Sequence, residues 1–297
     1  MEVERAGSVS LADGLSRTRA VHELIACIRE TNELLHEAAD LSPANHRAAN
    51  FIRRLSLQLR SSLSPEEVQL VLGDEYVRKH RRDLQRKLSA AEFLVEMSDS
   101  HQLCEASDPV MDIVRGLPYW NAYINLVSEE LAMLRRLTEP DQPERAAVVF
   151  VGSGPMPLSP ILLHLLGRVE VICLEIDPAA YRASRALLER MELASKVRVL
   201  LADGAAFDYS AHNQVFVASL VDNKAAVLER IRLTSPSPLA AVRTAVGIKQ
   251  VMYEAIDESE LLERGWRMLS CTSPDDTLVI NSTLFIDRAA ASRTNRA

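Results

Sequence analysis

A glycine loop, one helix face and a strand end carry the residues of this sequence whose types and spacing suit chemistry. Val151-Gly152-Ser153-Gly154-Pro155 directly follows the apolar run Ala146-Ala147-Val148-Val149-Phe150. Glycines at the turn after such a strand let the backbone approach a ligand in the crevice that an open α/β sheet leaves at its strands' carboxyl ends. The next two apolar strands end in Leu174-Glu175-Ile176-Asp177-Pro178 and Ala202-Asp203-Gly204. The first places carboxylates where these folds hydrogen-bond a ribose diol, and the second lies where an adenine would sit. An adenosyl ligand held by Gly152, Ser153, Gly154, Pro155, Glu175, Asp177 and Asp203 follows. A dinucleotide would also use an acidic residue after the second strand, but Pro157 stands where its third glycine belongs. Pro155 and Pro157 stiffen the loop and delay the helix, which disfavours a pyrophosphate on a helix N-terminus. S-adenosylmethionine carries no phosphate and is the preferred ligand, as a co-substrate.

Within Leu88-Ser89-Ala90-Ala91-Glu92-Phe93-Leu94-Val95-Glu96, two carboxylates sit four apart on one face of an expected helix. Either could serve as a general base or substrate ligand, and on the residues alone both also read as solvated glutamates. Tyr119 and Tyr123 offer hydroxyls to a substrate amine or carboxylate, or pack as core aromatics. Arg243 closes an apolar strand, where a guanidinium grips a carboxylate in bidentate fashion or pairs with a neighbour. His164, among Leu162, Leu163, Leu165 and Leu166, reads as a packing residue. Cys27, Cys104, Cys173 and Cys271 form no cluster at metal-ligand spacing and read as reduced, buried thiols; no metal site is expected.

These residues need two kinds of scaffold. From about Thr18 to Leu137 apolar residues recur at helical spacing (Val21, Leu24, Ile25, Ile28; Leu84, Leu88, Ala91, Val95), with helix starts expected at Ser42-Pro43, Ser64-Pro65 and Ser107-Asp108-Pro109. The run Arg78-Lys79-His80-Arg81-Arg82 is flanked by Asp74, Glu75 and Asp83 and reads as a solvated helix face. The polar stretch from Thr138 to Arg145, with Pro140 and Pro143, suits a connection. Short apolar strands then alternate with amphipathic helices at 146–151, 169–174, 197–201, 215–220 and 239–243, which specifies a doubly wound sheet. Segments 266–271 and 278–286, joined by a turn at Ser273-Pro274-Asp275-Asp276, must pair antiparallel. The expectation is an α/β protein: a helical domain over 1–140 forming part of the substrate cleft, then a class I methyltransferase-like, Rossmann-type domain over 145–290 closed by a C-terminal antiparallel hairpin. A formal net charge of -7 gives no electrostatic footprint for nucleic acid. With no apolar leader or spanning run, a cytoplasmic protein with a small-molecule substrate and no membrane partner is expected.

The string Phe150-Val151-Gly152-Ser153-Gly154-Pro155-Met156-Pro157-Leu158 resembles the Phe-Val-Gly-Ser-Gly-Pro-Leu-Pro-Leu signature of nicotianamine synthases, one substitution apart. Pro118-Tyr119-Trp120-Asn121-Ala122-Tyr123 is similar to the family's Pro-Tyr-Tyr-x-Asn-Tyr, Glu175-Ile176-Asp177-Pro178 to its Asp-Ile-Asp-Pro, and Arg243-Thr244-Ala245-Val246-Gly247 to its Arg-Ser-Ala-His-Gly. The resemblance runs from roughly Leu84 to Tyr253. Ala122 stands where plant members have Asn, and Val246 replaces a His. Both departures bear on substrate identity, and the bacterial members that make opine metallophores of the staphylopine and pseudopaline type are a closer expectation than the plant enzymes. The resemblance implies transfer of the 3-amino-3-carboxypropyl (aminobutanoyl) group of S-adenosylmethionine, with release of 5'-methylthioadenosine and no catalytic metal. The acceptor it implies is the α-amine of histidine, with one transfer. It singles out Glu92 as the base and Tyr119 as a second catalytic residue, with Tyr123, Glu96 and Arg243 on the substrate. A homodimer and a downstream opine dehydrogenase are the protein partners it suggests.

Overall fold

The computed structural model describes residues 2–138, 147–272 and 281–289, with side chains from Thr18 onward. The chain divides into two compact units, one of residues 1–94 with 245–254, the other of 95–244 with 255–297.

The first unit is helical: α1 (Glu2–Glu37), α2 (His46–Gln58), α3 (Pro65–Gly73) and the leading part of α4 (Glu75–Glu105). The start of α3 lies where the sequence places it, because Ser64 and Glu67 form a reciprocal capping box. α2 starts later than Ser42-Pro43. Ser42 bonds through both its amide and its hydroxyl to Asp40, at 2.8 and 3.0 Å, and Asn45 instead takes the Ala48 amide as N-cap. Apolar residues at helical spacing, among them Val21, Leu24, Ile28, Leu35, Leu84 and Leu88, are buried. The unit also contains a returning segment, 245–254, whose 3-10 turn Gly247–Val251 is fastened by Gln85: its amide donates to the carbonyls of Gln250 and Tyr253 at 2.7 and 3.1 Å. In the basic run, Arg78, Lys79 and Arg82 are exposed.

The second unit holds the end of α4, then α5 (Val110–Arg115), α6 (Trp120–Leu137), β1 (Val148–Val151), α7 (Leu158–Gly167), β2 (Val171–Glu175), α8 (Pro178–Arg190), β3 (Val197–Leu201), β4 (Gln214–Val217), α9 (Lys224–Thr234), β5 (Leu239–Thr244), α10 (Glu258–Glu263), β6 (Trp266–Cys271) and β7 (Ser282–Arg288). The sheet order is β3-β2-β1-β4-β5-β7-β6. Strands β1 to β5 are parallel, and β7 runs antiparallel between β5 and β6. The order reverses between β1 and β4, the switch point at which such sheets leave a crevice. Phe150, Cys173, Phe216 and Phe285 face one apolar layer with α6 and α7, while Val149, Val151, Val215 and Val217 face the other with α9.

The expected boundary near 140–145 does not divide the contacts: α5, α6 and the end of α4 belong with the sheet. The cause is the apolar stripe of α6 (Leu126, Val127, Leu131, Met133, Leu134), which packs on α7. Gly167 is the closest approach, for a Cβ there would lie 2.9 Å from Leu131 Cδ2. Beyond Thr138 the expected connection lies outside the described residues, as does the turn at 273–276. The thiols also differ from expectation: all four are free, but Cys271 is exposed and Cys104 only partly buried. Among the described residues no helix is long and apolar enough to cross a membrane, and no group of three His, Cys, Asp or Glu could hold a metal ion.

Candidate active site

The loop after β1 begins inside the sheet. The Gly152 amide donates to the Leu174 carbonyl at 2.9 Å, extending the pairing of β1 with β2 by one rung. Gly152 (φ 79°) and Gly154 (φ 68°) both adopt the left-handed conformation that side chains disfavour. Space is lacking as well. A Cβ on Gly152 would lie 2.5 Å from Val221 Cγ2, and one on Gly154 would lie 2.7 Å from Glu96 Oε2. Between them the buried Ser153 hydroxyl lies by the Cys173 thiol and makes no other hydrogen bond among the described residues, a polar atom suited to a ligand. Pro155, Met156 and Pro157 are buried, and α7 starts only at Leu158 without a side-chain cap. The delayed helix is the feature that the two prolines predict.

The carboxylates at the next strand ends hold this loop. Glu175 is buried at the end of β2; its Oε2 accepts the Gly154 amide at 2.8 Å and its Oε1 the Asp177 amide at 2.9 Å. Asp177 caps α8, accepting the amides of Ala179 and Ala180 at 2.7 and 2.8 Å. Asp203 is exposed after β3 and accepts the Ala205 amide at 2.8 Å. Each residue expected on the ribose or adenine is thus already engaged by backbone. Asp177 Oδ1 is filled by its two amides, but each of the three carboxylates retains a lone pair for a further donor. Beside the loop, burial pushes the Cys173 thiol far above its ordinary range, so it stays protonated and unreactive.

α4 and α6 bring the expected polar groups to the outer side of the same loop. Glu96 approaches Gly154 from α4. Tyr119, at the N-cap of α6, donates its hydroxyl hydrogen to Asp99 of α4, and its oxygen lies 3.5 Å from Met156 Sδ in the loop. Burial, then the hydrogen bond and charge of Asp99, hold this phenol far above its ordinary pKa. Tyr123, one turn on, meets the Tyr119 ring edge-on at 6.0 Å between centroids. Glu92 belongs to the helical unit, where its Oε2 accepts the Tyr253 hydroxyl at 2.8 Å.

Arg243 takes the second of the two roles open to it, pairing with a neighbour and not with a substrate carboxylate. Its Nε and Nη2 meet the two oxygens of Glu130 on α6, at 2.9 and 3.0 Å, and Nη2 also reaches Ser159 Oγ at 2.8 Å. That fork is therefore closed to a substrate carboxylate. Thr283 of β7 donates to Glu130 Oε1 at 2.6 Å, and the guanidinium lies 5.4 Å from the centre of the Phe150 ring. Both charges are buried. The role of this pair is to tie α6 to β5, β7 and α7. His164 is a structural residue as expected, its Nδ1 lying 2.8 Å from the Val169 carbonyl oxygen.

Asp99 and Glu130 are absent from the sequence reading. Asp99 had a signal, since Glu92, Glu96 and Asp99 follow at steps of four and three on one face of α4. Glu130 had a weaker one, an acid inside the apolar stripe of α6.

Comparison with known proteins agrees with these features. A family profile described as "Nicotianamine synthase protein" matches residues 17–292. Nicotianamine synthase 9 of Hordeum vulgare is 29% identical over 92% of this chain and 82% of its own. Nicotianamine synthase 3 of Oryza sativa subsp. indica is 32% identical over 60% of this chain and 54% of its own. Among solved structures, an MtNAS variant in complex with S-adenosylmethionine superposes with a TM-score of 0.75 over 90% of this chain and 98% of its own, at 20% identity. MtNAS in complex with MTA and tNA gives 0.74 over 89% and 97%, also at 20%. At that identity these two matches speak to the fold.

Two stability outcomes follow from the geometry. Gly152→Ala should cost about 1–3 kcal/mol for its left-handed φ, plus the Val221 clash; adding Val221→Ala should recover only the clash, as read by urea unfolding. Glu130→Ala, which leaves a buried guanidinium unpaired, should cost about 3–5 kcal/mol in the same measurement, and the double variant Glu130→Ala/Arg243→Met should cost less than the single one.

Proposed function

The chain belongs to the nicotianamine synthase family, and from that premise we propose that it transfers the 3-amino-3-carboxypropyl group of S-adenosylmethionine to the α-amine of an amino acid. The observation that carries this reading is the Gly152–Pro157 loop with its outer side lined by Glu96 and Tyr119. The two left-handed glycines and the buried Ser153 hydroxyl suit a ligand lying against the backbone. The absence of a helix N-terminus until Leu158 suits one without phosphate.

In the reaction the amine nitrogen attacks the γ-carbon of the methionine moiety, the C–S bond breaks, and its electron pair stays on sulfur in neutral 5'-methylthioadenosine. The sulfonium is already a good leaving group, so the protein must chiefly align nucleophile and carbon. An amino acid's ammonium must first lose a proton, which we assign to Glu92. The Tyr253 hydroxyl that donates to Glu92 orients this base. Glu96, Tyr119 and Tyr123 are the groups we assign to the acceptor and the amino-acid part of the donor. Glu175, Asp177 and Asp203 keep lone pairs for the adenosine hydroxyls and base.

Histidine as acceptor, a single transfer and a place in opine metallophore synthesis in the cytoplasm complete the proposal. Ala122 and Val246 depart from the plant motifs at positions that bear on the acceptor. An ordinary methyltransferase would use the same sheet, and the products separate the two.

Incubation with S-adenosylmethionine and histidine should release 5'-methylthioadenosine and an adduct heavier by one aminobutanoyl group, read by mass spectrometry; S-adenosylhomocysteine instead would overturn the proposal. Glu92→Gln should lower kcat about 10²- to 10⁴-fold while leaving S-adenosylmethionine binding within about threefold.

A further inference from the structure

We propose that Asp99 is a positioning residue for Tyr119, which it turns into a hydrogen-bond acceptor aimed at the amine of the acceptor substrate. The inference rests on the transfer proposed above. A tyrosine hydroxyl has one hydrogen to give and lone pairs to receive with, whereas a carboxylate only accepts. The Tyr119 hydrogen is committed to Asp99 Oδ2. The phenol oxygen also lies 3.5 Å from Met156 Sδ, a weak acceptor with no hydrogen to give, which sets the phenol's lone pairs near the Gly152–Pro157 loop. A group in that state binds an N–H donor and repels a carboxylate, which decides between the two substrate groups that the sequence leaves open for Tyr119.

The surroundings fix this polarity. The ionisable groups facing Tyr119 are Asp99 and Glu96 from α4 and Tyr123 from α6, and all of them disfavour a phenolate. The phenol therefore keeps its hydrogen across the working range, and Asp99 decides where that hydrogen points. Asp99 also lines a cavity of about 250 Å³ with Gln102, Leu103, Ala106, Ile113 and Leu117. That space is wide enough for water, so the carboxylate can receive the phenol without being sealed in apolar surroundings.

The test is a double-mutant cycle of Asp99→Ala and Tyr119→Phe, with Asp99→Asn as the isosteric variant. Asp99→Ala should lower kcat/KM for the amino-acid acceptor about 10- to 100-fold, the worth of a charged hydrogen bond, and leave S-adenosylmethionine affinity within about twofold. In a Tyr119→Phe background the same change should have no further effect; additive losses would mean that Asp99 acts independently and would overturn the inference. A substrate-free tyrosinate absorbance titration is the second readout. One tyrosine should ionise at lower pH in Asp99→Asn than in the unmodified protein, and this change should vanish in Asp99→Asn/Tyr119→Phe. An unchanged titration in Asp99→Asn would also overturn it. Because the titration uses no substrate, it judges the pair even if the unmodified enzyme yields S-adenosylhomocysteine and the transfer itself is refuted.

Discussion

The buried pair of Arg243 and Glu130 is the contact on which the geometry of the sheet unit depends. Arg243 belongs to β5 and Glu130 to α6; through Ser159 and Thr283 the same network reaches α7 and β7. A lone charge in this position would be strongly unfavourable, so each partner holds the other to one arrangement. The consequence extends along α6. Its N-cap is Tyr119 and its first turn carries Tyr123, so a helix locked at Glu130 also locks both phenols. Phe150 lies under the Arg243 guanidinium and precedes the Gly152 loop. One ion pair thus ties the two aromatic hydroxyls and the loop to a common frame.

A second constraint acts from within the loop. Gly152 and Gly204 have no room for a side chain, the first against Val221 and the second against Val151, where a Cβ would lie 2.5 Å from Cγ1. Both glycines lie at strand ends near the switch point. Close packing leaves the loop one path between β1 and α7, and Glu175 secures that path by accepting the Gly154 amide. The carboxylate that we propose for the ribose is therefore also the one that shapes the loop. Shape and recognition are coupled through a single side chain.

Much of this was legible in the sequence, for identifiable reasons. β1, β2, β4 and β5 are nearly continuous apolar runs because they are buried on both faces, whereas the edge strand β3 exposes Arg198, Leu200 and Leu201; a continuous apolar run needs no partner to be recognised. The delayed start of α7 follows from Pro155 and Pro157 alone. Pairings across the chain were not legible. Arg243 and Glu130 are 113 residues apart, and Ser128-Glu129-Glu130 looks like an ordinary polar helix turn. Asp99 lies in Ser98-Asp99-Ser100, where short polar residues suggest solvent, and only its register with Glu92 and Glu96 marks it. At Ser42-Pro43 and Asn45 two capping signals lie within one turn. Local hydrogen bonds from Ser42 to Asp40 settle which one starts α2. The compact units likewise depart from the expected boundary, since the apolar stripe of α6 does not reveal from sequence which surface it will cover.

In the proposed transfer the acidic face of α4 has a definite electrostatic meaning. Positive charge begins on the donor sulfur and ends on the acceptor nitrogen. A carboxylate nearer sulfur stabilises the starting state and slows the reaction, while one nearer nitrogen stabilises the charge as it arrives. An acidic stripe is therefore useful only if it is directed toward the amine. Pairing with phenols supplies that direction. The Tyr119 hydroxyl relays the polarity of Asp99 to its own oxygen, and the Tyr253 hydroxyl orients Glu92 by donating to its Oε2. The phenols thus convert diffuse negative charge on a helix face into directed acceptors, each of which favours an N–H donor over the weaker C–H donors beside a sulfonium.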